Sequence, residues 1–227
     1  MRIGILGSGL MGGKLGTLFV RAGHDVVFSY SHSEKKLQRL AREANGAARR
    51  RAKGHGSASA GTPQEAARDA DALLLAVHWS RVDDVLKQAG DISGKVIVSC
   101  TLPMNDDDTA LVVGHKSSGA EALAKKARKA HIVAAFNTVP SEVLFDVYES
   151  RRKANRPSLV YCGDDKKAKK LAAGLISDIG FDPIDVGALQ LARYMEPFGL
   201  LMAEIAYEGS GGPELAYRVL PFQKDRG

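Results

Sequence analysis

A glycine-rich turn near the N-terminus restricts the fold of this chain more than any other feature of its sequence. Gly7, Gly9 and Gly12 directly follow an apolar run at residues 2–6, and a helical pattern over residues 11–21 comes next. In a G-x-G-x-x-G turn between a strand and a helix, the first glycine permits the tight turn and the second leaves space for a pyrophosphate. The third lets the helix pack closely on the strand. The sequence therefore predicts a βαβ unit that binds a dinucleotide at the N-terminus of its first helix.

The rest of the chain alternates short apolar runs with helical patterns. Further strands are predicted at residues 25–30, 73–77, 96–99, 132–136, 158–162 and 181–186. Further helices are predicted from the segment at residues 31–34 to about residue 44, from 63 onwards, and at 80–89, 118–129, 166–179 and 189–207. Residues 46–61 are expected to form a loop with at most a short strand. Runs that are apolar throughout are typical of strands buried on both faces of a parallel sheet. The pattern predicts an α/β fold of the Rossmann type, a doubly wound, mostly parallel sheet with a small C-terminal α/β extension.

Three helices carry residues that suggest their starting points. Ser31-His32-Ser33-Glu34 and Thr62-Pro63-Gln64-Glu65 both fit the capping box, in which a hydroxyl and a carboxylate satisfy N–H groups of the first turn. Asp164-Asp165 is expected to cap the helix that begins near residue 166.

The end of the second predicted strand indicates which dinucleotide is bound. Chains that bind NAD carry an acidic residue there, which accepts hydrogen bonds from the ribose hydroxyls. This chain has Ser29-Tyr30-Ser31-His32-Ser33, followed by Glu34, Lys35 and Lys36. Hydroxyl, imidazole and ammonium groups suit a 2′-phosphate, so the sequence favours NADPH over NADH. Alternatively, the two lysines belong to a solvated helix face.

Composition excludes several classes of protein. Hydrophobic residues make up 44% of the chain and charged residues 26%, which is ordinary for a globular protein. The two cysteines, Cys100 and Cys162, are too few and too distant for a disulfide framework or a zinc site, and no metal site is expected. No signal peptide and no membrane-spanning stretch is recognisable, so we expect a cytoplasmic protein without membrane contact.

The formal net charge is +6, and basic runs occur in several different elements. These runs are Arg49-Arg50-Arg51, Lys125-Lys126, Arg151-Arg152-Lys153 and Lys166-Lys167. No aromatic residues are interleaved with them for stacking on bases, so we do not expect nucleic-acid binding.

Several short segments, in their order and spacing, resemble one known family. They are the glycine loop, Gly23-His24-Asp25-Val26-Val27, Val77-His78-Trp79, Ser117-Ser118-Gly119-Ala120-Glu121, Asn137-Thr138-Val139-Pro140, Cys162-Gly163-Asp164-Asp165 and Leu175-Ile176-Ser177-Asp178-Ile179-Gly180. From residue 1 to about 201, the chain resembles the NADPH-dependent reductases of the deazaflavin coenzyme F420. The resemblance implies direct hydride transfer between nicotinamide and deazaflavin in a cleft at the carboxyl ends of the strands. It implies no catalytic acid, base or nucleophile, and a homodimer formed through the C-terminal helices.

The resemblance also implies roles for particular residues. The cofactor would be bound by Gly7, Ser8, Gly9, Leu10, Met11, Gly12, Ser31, His32, Lys35, Val77, His78, Cys100 and Thr101. The acceptor would be bound by Trp79, Asn137, Thr138, Pro197, Leu200 and Leu201, the last three on a long helix that closes over it. From the residues alone, His78-Trp79 could equally be the start of the next helix. No histidine or aspartate partner can be placed beside Cys100, which favours a small cleft residue over a nucleophile.

Two departures from the family pattern leave the acceptor open. Ser31-His32 stands where typical deazaflavin members carry an arginine, and Asn137 stands where they carry a histidine before Thr-x-Pro. Ala135-Phe136-Asn137-Thr138 is also similar to the NADPH-flavin domain of six-transmembrane metalloreductases. The predicted function is hydride transfer between NADPH and F420 or a flavin such as FMN. The alternatives are reduction of another small acceptor (a quinone, a carbonyl or an imine compound) and a non-catalytic dinucleotide sensor.

Chain length sets the domain organisation that we expect. At roughly 150 residues per domain, 227 residues suffice for one domain and a smaller part. We expect an NADP-binding Rossmann domain over residues 1–139 and a small, substrate-covering α/β extension over residues 140–227.

Overall fold

An eight-stranded sheet organises the part of the chain that the computed structural model describes, residues 1–49 and 56–221. Its strands are β1 (Arg2–Leu6), β2 (Asp25–Ser29), β3 (Ala58–Ala60), β4 (Ala72–Leu75), β5 (Val96–Ser99), β6 (His131–Ala134), β7 (Ser158–Gly163) and β8 (Asp182–Asp185). The helices are α1 (Leu10–Arg21), α2 (Glu34–Arg49), α3 (Pro63–Arg68), α4 (Val82–Ala89), α5 (Gly119–Lys126), α6 (Leu144–Ser150), α7 (Lys166–Asp178) and α8 (Ala192–Tyr207). Single 3₁₀ turns at Trp79–Arg81 and Leu189–Leu191 precede α4 and α8. The side chains of the basic run at residues 49–51 lie outside the described part of the chain.

The strand order is β3-β2-β1-β4-β5-β6-β7-β8. The first six strands are parallel and follow the order of dinucleotide-binding folds, in which the ligand crevice opens where the order reverses, between β1 and β4. The expected Rossmann-type α/β fold is confirmed. β7 runs antiparallel to β6, and β8 is parallel to β7, so the C-terminal strands continue the same sheet. The division into domains at residue 139, which falls between β6 and α6, stays a prediction.

Side chains alternate between two apolar layers because successive residues of a strand point to opposite faces. Ile5 and Leu74 pack with Leu18 of α1 on one face, while Leu73 and Leu75 pack with Val85 of α4 on the other. All four residues of β4 are buried, as expected for a central parallel strand covered on both sides.

Some element ends differ from the predicted ones. The capping box predicted at Ser31 and Glu34 is wrong: the Ser33 hydroxyl accepts the Lys36 N–H at 3.3 Å, so Ser33 caps α2. Glu34 accepts a hydrogen bond from Gln38 instead, one turn along the helix. The second predicted box is confirmed, since the side chains of Thr62 and Glu65 each bond the other's backbone N–H.

Two further elements were missed or shortened in the sequence-based prediction. α6 was missed because seven residues give too little periodicity to identify a helix. α2 extends to Arg49, five residues beyond its predicted end. The short strand allowed for between residues 46 and 61 is β3, on the edge of the sheet.

Candidate functional site

The three glycines of the first loop occupy different environments. Gly7 has φ +112°, in the region that favours glycine. A Cβ on Gly12 would overlap the carbonyl oxygen of Gly7, so α1 packs directly against the turn. Gly9 is exposed, and a Cβ there would meet no described atom within 4 Å. The loop therefore presents one open position, at the residue that precedes α1.

The N-terminus of α1 offers hydrogen-bond donors beside this open position. The first helical bond runs from the Gly13 N–H to the Gly9 carbonyl at 3.0 Å, so the preceding N–H groups of the first turn have no helical acceptor. Leu10 and Met11 begin this turn, and Leu10 is 71% exposed. Such a turn, with its positive dipole end, suits the phosphates of a dinucleotide.

Ser8 lies on the inner side of the loop. It is buried, its hydroxyl donates to the Ser29 carbonyl at 2.8 Å, and its N–H donates to the Tyr30 carbonyl at 3.3 Å. The structure therefore places Ser8 where it holds the loop against β2, away from the exposed surface that phosphates could reach.

A cleft of about 970 Å³ opens at the carboxyl end of β2. Its walls are α2, the segment from β3 to α3, and the start of α4, and it includes the predicted contacts Ser31 and His32. Lys35 is exposed and is not among the residues that line this cleft. Two arginines that the sequence analysis did not single out, Arg42 and Arg81, do line it.

Tyr30 connects the two walls of this cleft. It has φ +56°, which is rare for a bulky residue, and its hydroxyl donates to Asp84 Oδ2 at 2.6 Å. Burial and this hydrogen bond raise the pKa of Tyr30 to about 12. Hydrogen bonds from Tyr30 and Gln88 lower the pKa of Asp84 from its usual value. The end of β2 is thereby tied to α4, a contact between residues 54 positions apart that local sequence patterns cannot reveal.

His78, after β4, is tied to the loop that follows β5. Its Nδ1 accepts hydrogen bonds from the Ser80 hydroxyl at 2.8 Å and from the Ser80 N–H at 3.3 Å. In a neutral imidazole, the proton is then carried by Nε2. Nε2 lies 3.2 Å from the Asn105 carbonyl and 3.2 Å from Asp108 Oδ1. Trp79 is half-buried and packs, as Val77 does, against the apolar layer of α3, α4 and α5.

Cys100 and Thr101 follow β5 at the same edge. The Cys100 thiol donates to the Leu75 carbonyl at 3.3 Å, and burial raises its pKa to about 12. The Thr101 hydroxyl donates to the Val77 carbonyl at 3.1 Å. A neutral, hydrogen-bonded thiol is a poor nucleophile, so the position fits a wall residue.

Replacing Cys100 with alanine is expected to leave kcat within about threefold of the wild type, because a thiol kept protonated contributes no nucleophile. The measurement is steady-state NADPH oxidation by both proteins. A loss of several orders of magnitude would assign the thiol a role in the chemistry.

Asn137 is a buried amide without hydrogen bonds beyond the end of β6. It is 7% exposed, and neither Oδ1 nor Nδ2 has a partner among the described residues. Phe136, just before it, has φ +66°. An unpaired buried polar group costs about 1–3 kcal/mol, and strained backbone concentrates at functional sites. The arrangement fits a side chain whose partner is a ligand.

Thr138 is paired with the C-terminal tail. Its hydroxyl lies 2.8 Å from the Tyr217 hydroxyl, which also accepts the Val160 N–H at 3.0 Å. The Tyr217 ring contacts Phe198 edge-on with centroids 5.1 Å apart. The structure therefore places Thr138, which is fully buried, against the chain's own tail. The tail carried no recognisable sequence pattern, and only the fold brings residue 217 to β7.

α8 lies over the end of β6 and carries the three predicted closing residues. A Cβ on Gly199 would overlap the Asn137 carbonyl oxygen, so this helix contacts the Asn137 backbone directly. Pro197 and Leu200 are half-buried, whereas Leu201 is 54% exposed.

Glu196 fixes α8 to the start of α5. Its two carboxylate oxygens accept the N–H groups of Gly119 at 2.8 Å and Ala120 at 2.9 Å. Beside it, Arg193 makes a two-pronged ion pair with Glu121 at 2.8 and 2.7 Å. Burial of Glu196 outweighs both hydrogen bonds and raises its pKa to about 7. No sequence signal marked this residue, because its partners lie 77 and 76 positions away.

Glu196 is expected to make stability depend on pH. Its pKa in the folded protein, about 7, lies above the ordinary value of 4.5. Its contribution to the free energy of unfolding is therefore fully present below pH 4.5 and is lost as the pH rises to 7. Relative to Glu196→Gln, the wild type should lose on the order of 2–3 kcal/mol across this window. Urea denaturation of both proteins between pH 4.5 and 8 measures the difference, and a constant difference would contradict the shift.

Neither a metal cluster nor a transmembrane helix is found in the part of the chain that the structure describes. No group of three or more His, Cys, Asp or Glu side chains in residues 1–49 and 56–221 could hold a metal ion. No helix within the same ranges is long and apolar enough to cross a bilayer.

Known proteins resemble the chain in sequence and in fold. Residues 2–103 match the family described as NADP oxidoreductase, coenzyme F420-dependent. The metalloreductase STEAP3 of Rattus norvegicus is 28% identical over 199 residues, which are 88% of this chain; the chain spans 36% of that protein's length.

Solved structures share the fold. A protein of Arthrobacter sp. FB24, provisionally designated an F420-dependent NADP-reductase, superposes with a TM-score of 0.80 at 20% identity, over 97% of this chain and all of its own. The reductive aminase of Aspergillus terreus, solved with NADPH and ethyl levulinate, gives a TM-score of 0.62 at 17% identity, over 89% of this chain and 60% of its own.

The matched segment ends just beyond β5 and contains the glycine loop, the end of β2 and the residues after β4 and β5. It therefore includes the first turn of α1, the cleft beside β2 and the wall formed by Cys100 and Thr101. Residues 2–103 of this chain are therefore similar to the family of NADP oxidoreductases described as coenzyme F420-dependent.

Proposed function

We propose that this chain transfers a hydride directly between NADP(H) and the ring of F420 or of a flavin such as FMN. The observation that carries the proposal is the unpaired, buried amide of Asn137 at the end of β6, across the switch point of the sheet from the glycine loop. With phosphate donors on one side of this edge and the Asn137 amide on the other, two planar reactants would lie between them.

The residues of the first loop fit NADP(H). The space at Gly9 admits a pyrophosphate, and the first turn of α1 supplies the N–H donors. The 2′-phosphate would lie in the cleft with Ser31 and His32. When bound, NADPH supplies the hydride from its nicotinamide ring. The walls formed by Val77, Cys100 and Thr101 would then hold that ring and exclude water.

The amide of Asn137 favours a flavin-like acceptor. It presents a donor and an acceptor side by side, which matches the neighbouring carbonyl and N–H groups in the pyrimidine part of flavins and deazaflavins. Hydride transfer between two such rings requires alignment rather than an acid or a base. The groups beside the crevice agree with this, because Cys100 is a neutral thiol and His78 is held by Ser80 and the loop at Asn105.

A second candidate is the reduction of an imine or a carbonyl compound, favoured by the fold shared with the reductive aminase that was solved with NADPH and ethyl levulinate. That chemistry benefits from a positioned proton donor. The Tyr217 hydroxyl could reach such a substrate only by leaving Thr138 and Val160.

The test is NADPH oxidation measured side by side with F420, FMN, a quinone and a cyclic imine. The proposal expects turnover with F420 or FMN at least about tenfold faster than with the others. Turnover with the imine alone would support the second candidate. Tight NADPH binding without turnover of any acceptor would indicate a sensor.

We further propose a cytoplasmic homodimer formed through α8. Tyr194, Leu201 and Ile205 share one face of the helix and are 71%, 54% and 45% exposed, which leaves an apolar stripe that residues 1–49 and 56–221 do not cover. The two free thiols suit a reducing compartment. Light scattering should give twice the chain mass for the wild type and the chain mass for Leu201→Asp. A monomeric wild type would contradict the dimer.

A further inference from the structure

The cleft beside β2 contains both acids and arginines, and the acids have partners within the protein. Asp84 accepts hydrogen bonds from Tyr30 at 2.6 Å and from Gln88 at 3.0 Å. Glu65 accepts the Thr62 N–H at 2.7 Å, and Glu34 accepts from Gln38 at 3.0 Å. The carboxylates of this cleft are therefore held by neighbouring donors.

The two arginines of the cleft are free to bind an anion. Within residues 1–49 and 56–221, neither Arg42 nor Arg81 forms an ion pair or a side-chain hydrogen bond, and both are exposed. A guanidinium group offers a fork of N–H donors that matches phosphate geometry. The exposed Lys35, outside the cleft lining, is less suited to this role.

Arg81 lies on the wall of the cleft that is tied to the end of β2. It lies one turn before Asp84, whose carboxylate is bonded to Tyr30, the residue next to Ser31 in the chain. Arg81, Tyr30 and Asp84 line the same cleft. The positive charge of Arg81 opposes the rise in the pKa of Tyr30 and adds to the lowering of the pKa of Asp84. Arg42 lies eight residues into α2, about 12 Å along the helix axis from its start.

We propose that Arg81 is the main cationic contact of the cofactor's 2′-phosphate, and that the Tyr30–Asp84 hydrogen bond positions it across the cleft from Ser31 and His32. The inference rests on the proposed binding of NADP(H) and names the residue that selects it over NAD(H). The positive charge that selects NADP(H) over NAD(H) then lies at the start of α4, rather than on the lysines of α2.

The experiment compares dissociation constants for NADPH and NADH, measured by calorimetry at one fixed ionic strength. The variants are Arg81→Gln, Arg81→Lys, Tyr30→Phe and Arg42→Gln, with Lys35→Gln as the matched control on the solvent-facing side of α2. Arg81→Gln should weaken NADPH binding about tenfold or more and leave NADH within about twofold. Arg81→Lys should restore part of the NADPH affinity, and Tyr30→Phe should reduce the preference by about threefold.

Three results would overturn the inference: an unchanged NADPH-to-NADH ratio in Arg81→Gln, a larger loss in Lys35→Gln, or a larger loss in Arg42→Gln. The NADH measurement distinguishes a local effect from misfolding, because a misfolded variant loses both dinucleotides together. A wild type that binds neither dinucleotide would instead overturn the proposed function itself.

Discussion

The substitution Gly9→Val is expected to abolish NADPH binding while the protein stays folded. Gly9 precedes α1, has an ordinary negative φ of −76°, and faces open space where a Cβ would meet no described atom. A valine side chain would occupy the space through which a pyrophosphate approaches the helix N-terminus, because that approach needs bare backbone. We expect the dissociation constant to rise by more than about a hundredfold.

Calorimetric titration with NADPH, together with a thermal melt of each protein, tests this result. The melting temperature should stay within about 3 °C of the wild type, since a Cβ at position 9 would meet no described atom within 4 Å. Retained NADPH affinity in a folded Gly9→Val protein would remove the glycine loop from the site.

The substitution Gly12→Ala is expected to act on the fold rather than only on binding. The added Cβ would overlap the carbonyl oxygen of Gly7, and both groups belong to backbone that the β1–α1 unit holds in place. Relief requires α1 to move away from the turn, which disturbs the packing of Leu15 and Leu18 in the core. The free energy of unfolding should fall by about 3 kcal/mol.

Urea denaturation of Gly12→Ala beside Gly9→Ala measures that loss with a matched control. Both variants add one methyl group to the same loop, but only the first overlaps protein atoms. Equal stability of the two variants would contradict the close packing of α1 on the loop.

The Rossmann-type fold could be predicted because its signals are local. The glycine loop, the apolar strands and the alternation of elements all lie within short windows, and parallel order follows from the helical crossovers. No local signal predicted that β7 runs antiparallel to β6. The two strands pair at only two positions, at the end of each strand.

The candidate site was only partly predictable, because sequence patterns reveal local structure but not the contacts between distant parts of the chain. Gly9 and Asn137 could be proposed from the sequence because they follow predicted strands within recognisable segments. Tyr217 and Glu196 contact residues far from their own positions in sequence, and only the fold brings Arg81 into the cleft beside β2. Lys35 was predicted to bind the cofactor, but it is exposed and does not line the cleft. The charge of a residue does not reveal to which side of a helix its side chain points.

Direct hydride transfer is tested most closely by isotope tracing. The wild-type protein is supplied with F420 and with NADPH that carries deuterium at C4 of the nicotinamide, in separate pro-R and pro-S forms, in ordinary water. Position 5 of a deazaflavin is carbon, so a transferred deuterium does not exchange with solvent. With direct transfer, one of the two forms should deliver its deuterium to that carbon in the reduced F420. Reduced F420 with only solvent hydrogen at that carbon from both forms would contradict direct transfer.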